Sequence, residues 1–268
     1  MTHPFTHITS TCFVNVPFLR LEKDLKLIID NRIQPEIGLE GDILYTGTRQ
    51  QFSGIAKALK SEGLACTLHA PFSDISPGAL DPYIIEATRN KLRKAFALIE
   101  LFEPVTIVCH LNYEAYKHRY RLESWMDQSL HTWRDLLALV ESHATLVTFE
   151  NTYETESDIH RHILESLSSP QARFCLDVGH LTAFARTSWP QWLPALSPWL
   201  GQLHLHDNHG HYDEHLAVGQ GSFDFAGLFN YLTTENLHPV ITLEPHLEED
   251  LWASLKALAE LNYFSAKR

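Results

Sequence analysis

The chain has 268 residues, of which 44% are hydrophobic, so it can bury a full core and is long enough for one barrel-sized domain. Its 33 acidic and 21 basic side chains give a formal net charge of −12, which argues against nucleic acid as a partner because like charges repel. The N-terminus, MTHPFTHITS, lacks the features of a secretory signal, and no apolar run approaches the roughly 18 residues of a membrane span, so we expect a soluble cytoplasmic protein.

Eight apolar segments typical of strands alternate with eight amphipathic segments of helical length. The predicted strands cover residues 7–14, 33–39, 65–69, 105–110, 145–150, 173–177, 202–206 and 240–244. The predicted helices lie near 19–31, 48–61, 82–102, 122–142, 156–167, 190–200, 223–234 and 248–261. This alternation predicts an α/β fold, a single (β/α)8 TIM barrel over residues 1–268, with its site at the C-terminal rim of the strands.

Two local features qualify this pattern. The sixth helix is the least regular, because it contains Pro190, Pro194 and Pro198, and only the first of these suits a helix start. The cysteines lie inside predicted strands without CxxC spacing, so we expect buried free thiols rather than a zinc or redox motif. They are Cys12, Cys66, Cys109 and Cys175.

Six consecutive strands carry a residue that can bind a divalent metal at or near the strand end. The segments read LACTLH, VTIVCH, TLVTFE, ARFCLD, GQLHLH and PVITLE, and the residues are His69, His110, Glu150, Asp177, His204 and Glu244. Side chains two apart share a face, so these residues would lie above an interior layer of Thr67, Val108, Thr148, Cys175, Gln202 and Thr242. The strand ends of a barrel converge at one rim.

Taken singly, each of these histidines has a simpler explanation as a hydrogen-bonded residue, and Asp177 could belong to a turn. The glutamates are harder to explain without a cation. A carboxylate buried at the end of an apolar strand is costly when unpaired, and no Lys or Arg stands at a comparable strand end. Glu150 and Glu244 together therefore predict a metal site.

The loops after the sixth and seventh strands add further ligand types. They read DVGH, which ends in His180, and HLHDNHGHYDEHLAVGQG, which contains Asp213 and His215 in a D-x-H pair suited to one ion. The closing Gly-Gln-Gly suggests a close approach of the backbone to a ligand. The remaining loop histidines could touch a metal, support a ligand or be solvated; they are His206, His209 and His211.

Seven motifs between about residue 64 and residue 245 resemble the xylose isomerase-like TIM barrels, a superfamily that includes endonuclease IV and many sugar isomerases and epimerases. The motifs are CTLHAPF, VCHLN, TFENT, CLDVGH, LHLHDN, DEHLAVGQG and TLEP. The resemblance to endonuclease IV implies three ions and nine ligands. The first ion would take His69, His110 and Glu150; the second Glu150 as a bridge with Asp177, His204 and Glu244; the third His180, Asp213 and His215.

Such a three-ion site implies a metal-dependent phosphodiesterase that acts through a metal-bridging hydroxide, with Glu150 and Glu244 as catalytic residues. We expect two to three such ions, which could be zinc, manganese or iron. Rim loops such as HAPFSDISPGALDPY contain no Lys or Arg that could neutralise the phosphates of DNA. We therefore expect a small or bulky phosphodiester that is not DNA. The resemblance extends to the phosphodiesterases that cleave the nucleotide loop of cobamides. Candidate substrate contacts are Phe72, Asn151, His206, Asn208 and Gln220.

Other functions than this phosphodiesterase stay open. The sugar isomerases and epimerases of the superfamily need one ion held by the equivalents of Glu150, Asp177, His204 and Glu244, with the two glutamates as acid and base, and all four are present. His69 and His110 favour several ions instead, because a four-ligand ion has no use for two further imidazoles. An AP endonuclease on DNA and a noncatalytic binding barrel are the remaining alternatives, and the oligomeric state is undetermined.

Overall fold

The computed structural model describes residues 3–261 and 263–264. Eight parallel strands, each hydrogen-bonded to the next along the chain and the last to the first, form a closed barrel. The strands are β1 Phe13–Pro17, β2 Gln34–Gly38, β3 Thr67–His69, β4 Thr106–His110, β5 Leu146–Glu150, β6 Ala172–Asp177, β7 Leu200–Leu205 and β8 Val240–Leu243. The predicted (β/α)8 barrel is confirmed.

Helices surround the barrel and occupy the segments between strands. They are α1 Thr6–Thr9, α2 Phe18–Asp30, α3 Ile43–Thr46, α4 Arg49–Ser61, α5 Pro82–Phe96, α6 Ile99–Phe102, α7 Ala115–His118, α8 Leu122–Ala138, α9 Asp158–Leu167, α10 Val178–Phe184, α11 Trp189–Leu196, α12 Phe225–Thr234 and α13 Glu248–Glu260, with 3₁₀ turns at Arg119–Arg121 and Ser197–Trp199. Within the described part of the chain, no helix combines the length and apolar character that a membrane crossing needs.

The first predicted strand is wrong over its N-terminal half. Thr6–Thr9 is a helical turn, and β1 begins only at Phe13. The buried apolar residues Ile8 and Cys12 lie four positions apart, and the Cys12 N–H donates to the Ile8 carbonyl at 2.9 Å. A spacing of four is that of one helical face and not of a strand, in which positions two apart share a face.

The prolines shape the sixth helical unit as expected. α11 has Pro190 in its first turn and Pro194 inside it, and it ends at Leu196, before the 3₁₀ turn that contains Pro198. Helix α10, which starts directly from β6, precedes it. This unit is therefore split into two short helices, and the first of them begins at the barrel rim.

The interior of the barrel is polar where the sequence predicts a small, β-branched layer. All six predicted layer residues, Thr67, Val108, Thr148, Cys175, Gln202 and Thr242, are fully buried. The side chain of Gln202 joins the layer, since its oxygen accepts from Thr106 and Thr148 and its nitrogen donates to Thr242. The four cysteines are buried, as expected. At the alternate positions, Phe149 packs against Trp133 of α8, and Leu68, Leu176, Leu203 and Leu243 are also buried.

Candidate metal centre

The six strand-end residues lie together at the C-terminal mouth of the barrel. His69, His110, Glu150 and Asp177 are the last residues of β3 to β6, His204 is the last but one of β7, and Glu244 directly follows β8. Five of the six are buried, with Glu244 the most exposed of these at 8%. Ionisable groups in this number lie away from water only where they neutralise one another or bind a cation.

The first cluster consists of three ligand atoms at equal separations. His69 Nε2 and His110 Nε2 each lie 3.3 Å from Glu150 Oε2, and the two nitrogens lie 3.3 Å from each other. Zinc bonds of about 2.0 to 2.1 Å in a tetrahedron place neighbouring ligand atoms about 3.3 to 3.4 Å apart. The three atoms therefore have the spacing of one face of a tetrahedral zinc site.

The hydrogen bonds of the two imidazoles fix which nitrogen faces the cluster. His69 Nδ1 donates to the Ala70 carbonyl at 3.1 Å, and His110 Nδ1 lies 2.8 Å from the Thr152 hydroxyl. Because a carbonyl can only accept, the Nε2 of neutral His69 carries a lone pair. This is the outer-shell arrangement that orients metal-binding histidines.

The second cluster surrounds His204. Its Nδ1 is buried without a hydrogen-bond partner and lies 3.0 Å from Glu244 Oε1, 3.3 Å from Glu150 Oε2 and 3.9 Å from Asp177 Oδ2. A ring nitrogen that faces three carboxylates in a dry environment is suited to share a cation with them.

Glu36 is a component of the centre that the sequence analysis missed. It is fully buried in the middle of β2, and its Oε1 lies 3.2 Å from His204 Nε2. Since a carboxylate can only accept, neutral His204 carries its proton on Nε2 and has its lone pair on Nδ1, toward the mouth. The other oxygen of Glu36 accepts hydrogen bonds from Thr67, Gln202 and Thr242 at 3.0, 2.6 and 3.0 Å.

The third cluster joins the loops after β6 and β7. Asp213 Oδ2 lies 3.4 Å from His180 Nε2 and 2.9 Å from His215 Nε2. Both imidazoles donate from Nδ1 to backbone carbonyls, those of Asn151 at 3.0 Å and Glu244 at 3.1 Å, so their Nε2 atoms face the carboxylate. The predicted third set of ligands is thus brought together with the orientation that metal binding needs.

His206 lies between the second and third clusters. Its Nε2 donates to both oxygens of Asp177 at 3.0 Å, and its Nδ1 lies 3.4 Å from Asp213 Oδ1. His206 Nδ1 and Asp213 Oδ1 are both buried, and neither has a hydrogen-bond partner. The absence of a side chain at Gly179 makes room for the ring, because a Cβ there would lie 2.0 Å from His206 Cε1.

The Gly-Gln-Gly segment approaches a carboxylate of the protein itself. The N–H groups of Gly219 and Gly221 donate to Asp207 Oδ2 at 3.1 and 2.8 Å, and those of Asn208 and Phe223 donate to its Oδ1. A Cβ at Gly221 would lie 2.3 Å from the Asn208 carbonyl oxygen. The glycines therefore close the loop around Asp207, and this loop carries Asp213 and His215.

Both oxygens of Glu150 face imidazoles. Oε2 contacts the histidines of the first cluster and His204, whereas Oε1 lies 3.0 Å from His180 Nδ1. Burial alone would raise the pKa of Glu150, but the nearby histidines, His204 first, hold it well below its usual value. Burial likewise opposes protonation of His69, yet its hydrogen bond to Glu150 raises the His69 pKa to about 9.

The predicted substrate contacts lie in different environments. The ring of Phe72 packs on that of His110, with centroids 4.8 Å apart. Asn151 exchanges two hydrogen bonds with the backbone of Asp177, and the Asn208 side chain bonds the backbone of Gly179 and Gly210, so these two amides support the site. Gln220 is exposed. Away from the clusters, His209 pairs with Glu214 and His211 is exposed.

A model of the family described as the xylose isomerase-like TIM barrel matches residues 38–261. This chain belongs to that family. Two uncharacterized proteins of Methanocaldococcus jannaschii, MJ1614 and MJ1311, are 25% and 24% identical over 252 and 206 residues. The matches cover 91% and 72% of this chain and 96% and 68% of those proteins. The family resemblance inferred from the motifs is confirmed.

Solved structures share the fold over nearly the whole chain. A D-tagatose 3-epimerase-like protein has a TM-score of 0.81 at 20% identity, covering 93% of this chain and 96% of its own. The TTHB071 protein of Thermus thermophilus, soaked with ZnCl2, has a TM-score of 0.76 at 22% identity, and the match covers 94% of this chain and 97% of that protein. A D-psicose 3-epimerase has a TM-score of 0.75 at 11% identity, and the match covers 95% of this chain and 99% of that protein.

The names of these structures bear on the open alternatives. Two of them are named after sugar 3-epimerases, and nothing in the comparisons supports the cobamide reading. At these identities the likeness is one of fold, and the reaction is not carried over. What the comparisons support is an enzyme of the xylose isomerase-like family, and the described residues supply clusters that could hold metal ions.

Proposed function

We propose that this protein is a metal-dependent phosphodiester hydrolase whose multinuclear centre lies at the barrel mouth. The single observation that carries the proposal is the position of Glu150. One of its oxygens lies 3.3 Å from ligand nitrogens of both the first and second clusters, so Glu150 would belong to the ligand sets of two ions. Paired ions are typical of enzymes that hydrolyse phosphoesters.

The donor sets fit such ions. Nitrogen and carboxylate ligands at these spacings suit zinc, manganese or iron, and the partnerless His204 Nδ1 and Asp213 Oδ1 would gain a partner. When bound, the ions would activate water and neutralise the charge of a phosphoryl group. The first ion would be held by His69, His110 and Glu150, and the third by His180, Asp213 and His215, with His206 beside it. The second would be held by Glu150, Asp177, His204 and Glu244.

The protein residues around the ligands have distinct tasks in this proposal. Glu36 and backbone carbonyls set the tautomers of the ligating imidazoles. Glu244 contributes Oε1 toward His204, while its Oε2 lies 3.9 Å from His206, on the side of the third cluster. The Phe72 ring covers His110 and would limit the entry of bulk water from that side.

Epimerisation of a sugar is the second candidate, and the similar solved structures favour it. In that reaction Glu150 and Glu244 would exchange a proton with the substrate around one ion. The contacts of Glu150 argue against this role, because both its oxygens face imidazoles and neither is open to a substrate carbon. The third cluster would also have no ion to bind.

Assays of both reactions with one metal-loaded preparation test the proposal. We expect hydrolysis of bis(4-nitrophenyl) phosphate and no C3 epimerisation of ketohexoses. Glu150→Gln should reduce hydrolysis by a factor of roughly a hundred or more, since a neutral amide bridges two cations poorly. Glu214→Gln, a rim glutamate that contacts His209, is the matched control and should retain activity. Epimerase activity without hydrolysis, or near-normal hydrolysis by Glu150→Gln, would refute the proposal.

A further inference from the structure

The loop that follows β4 carries a short basic and aromatic stretch, here called the basic tyrosine segment, residues 116–121 with the sequence YKHRYR. Three of its six residues, Lys117, Arg119 and Arg121, are cationic in a chain whose formal net charge is −12. The rim therefore does carry basic residues. The expectation that the rim loops lack Lys and Arg holds for the loop after β3 and is wrong for the loop after β4. The concentration of positive charge is local.

The two arginines of the segment are not neutralised by the protein. Among the described residues, no carboxylate lies within 4 Å of Arg119 or Arg121, while Lys117 lies 3.7 Å from Glu114. By comparison, Arg161 on α9 pairs with both Asp158 and Glu165. Uncompensated guanidinium groups at a rim are suited to bind an anionic group of a ligand.

The tyrosines of the segment are almost fully exposed. Tyr116 is 88% and Tyr120 is 82% exposed, and the guanidinium of Arg119 lies over both rings, 4.6 Å from the centroid of Tyr120. Exposed tyrosine rings offer flat apolar faces with low conformational entropy to a planar ligand. Positive charge and aromatic surface for stacking therefore occur together within the six residues of the segment.

The segment is anchored to the barrel mouth. Strand β4, which precedes the segment, ends at His110, a member of the first cluster. Between them, the Asn112 side chain donates hydrogen bonds to the carbonyls of Phe72 and Ile75 at 3.1 and 2.9 Å. The ring of His118 in the segment stacks on that of Trp125 in α8, with centroids 5.6 Å apart. The segment is thus held at the rim that carries the metal centre.

We propose that the basic tyrosine segment binds the part of the substrate that is not cleaved, and that this part is an anionic group attached to a planar ring, as in a nucleotide. The proposal rests on the proposed function in placing the substrate at the same mouth. Cationic side chains would hold the anion, and Tyr116 and Tyr120 would stack on the ring. The acidic balance of the whole chain disfavours a long polyanion and is compatible with one or two phosphates.

Equilibrium dialysis of the metal-loaded protein with AMP and with adenosine tests this inference at low ionic strength. The triple variant Lys117→Gln, Arg119→Gln, Arg121→Gln should bind AMP roughly tenfold more weakly than wild type, with adenosine binding unchanged, because three surface charges of modest individual strength are lost. Tyr116→Ala with Tyr120→Ala should weaken both ligands. The control Arg20→Gln, Lys23→Gln, Lys26→Gln removes the same charge from α2 and should stay within about twofold of wild type.

The outcomes separate this inference from the proposed function. If the segment variant binds AMP as well as the α2 control does, or if wild type binds a long single-stranded oligonucleotide with higher affinity per phosphate than AMP, the inference is wrong. Bis(4-nitrophenyl) phosphate hydrolysis by the same proteins reports on the centre alone. Loss of AMP binding in the segment variant without any wild-type hydrolysis would uphold the inference and refute the hydrolase.

Discussion

At the scale of single residues, Glu36 determines which nitrogen of His204 faces the barrel mouth. Its carboxylate accepts from His204 Nε2, and three further side chains of the barrel interior donate to its second oxygen. Burial would raise the pKa of Glu36, but the neighbouring His204 lowers it, so this carboxylate stays charged. A second carboxylate behind a ligating imidazole both orients the ring and increases its basicity.

Replacing Glu36 with Gln should therefore weaken the second ion while the fold persists. The amide keeps the volume but can turn a donor toward His204, which favours the wrong tautomer. We expect the affinity for Co²⁺ at that site to fall roughly 10- to 100-fold, as for other outer-shell replacements. Titration followed by the visible absorption of bound cobalt measures this, with Glu62→Gln on the surface as the control. An unchanged affinity and spectrum would show that Glu36 has no orienting role.

Metal binding should also depend on pH in a defined direction. In the metal-free protein the pKa values of His69 and His215 are raised to about 9 by their carboxylate neighbours, Glu150 and Asp213, although burial opposes this. Both rings are then protonated at neutral pH and stabilise the fold below the unfolded pKa of about 6.5, a contribution lost as the pH passes about 9. An ion must displace these protons.

Apparent metal affinity should therefore increase from pH 6 to pH 9, with protons released on binding. Calorimetric titrations in buffers of different ionisation enthalpy count those protons. His110 should contribute none, because burial lowers its pKa to about 3 and keeps it neutral. An affinity that is flat over this interval would contradict the arrangement of these clusters.

At the scale of elements, the long loop between β7 and α12 is built around Asp207. Four backbone N–H groups donate to its carboxylate, and an isolated bridge pairs Asp207 with Leu216. This arrangement holds Asp213 and His215 over the mouth although the segment has no regular secondary structure. His215 itself adopts a positive φ of 52°, which few non-glycine residues do without such support.

Asp207→Asn should loosen this loop. The amide turns two hydrogens toward N–H donors, and each donor left without an acceptor costs about 1 to 3 kcal/mol. We expect a lower free energy of unfolding and faster hydrogen exchange over residues 208–223, together with weaker binding of an ion at the third cluster. Asp224→Asn, which affects only the cap of α12, is the control and should leave the stability nearly unchanged, because Asn caps a helix about as well as Asp. Unchanged exchange in the loop would contradict this role.

The elements were predictable to the extent that hydrophobic periodicity controls them. Seven strands carry enough apolar residues in sequence to be recognised. The predicted start of the first strand, at residue 7, is too early because Ile8 and Cys12 have the spacing of a helical face. Glu36 escaped notice for a different reason. It lies mid-strand in IQPEIGL, where a single charge resembles an ordinary solvent-facing position, and only barrel closure reveals that this face is interior.

At the scale of the whole molecule, barrel closure brings the candidate ligands together from distant parts of the chain. Residues from β3 to β8 meet at one mouth, so strand-end spacing predicts the convergence of the six strand-end side chains, but not that of Glu36 in mid-strand. Spacing could not predict the tautomers, the wrapping of the loop around Asp207 or the contacts of both Glu150 oxygens, because these depend on side-chain orientation. Those details favour several ions over one.

The most direct test is the number of ions bound by wild-type protein purified without chelators, measured by inductively coupled plasma mass spectrometry. We expect about three divalent ions per chain, as the three clusters imply, with about one fewer in each of His110→Gln and Asp213→Asn. One ion per chain, unaffected by either substitution, would contradict the multinuclear centre and favour the single-ion epimerase.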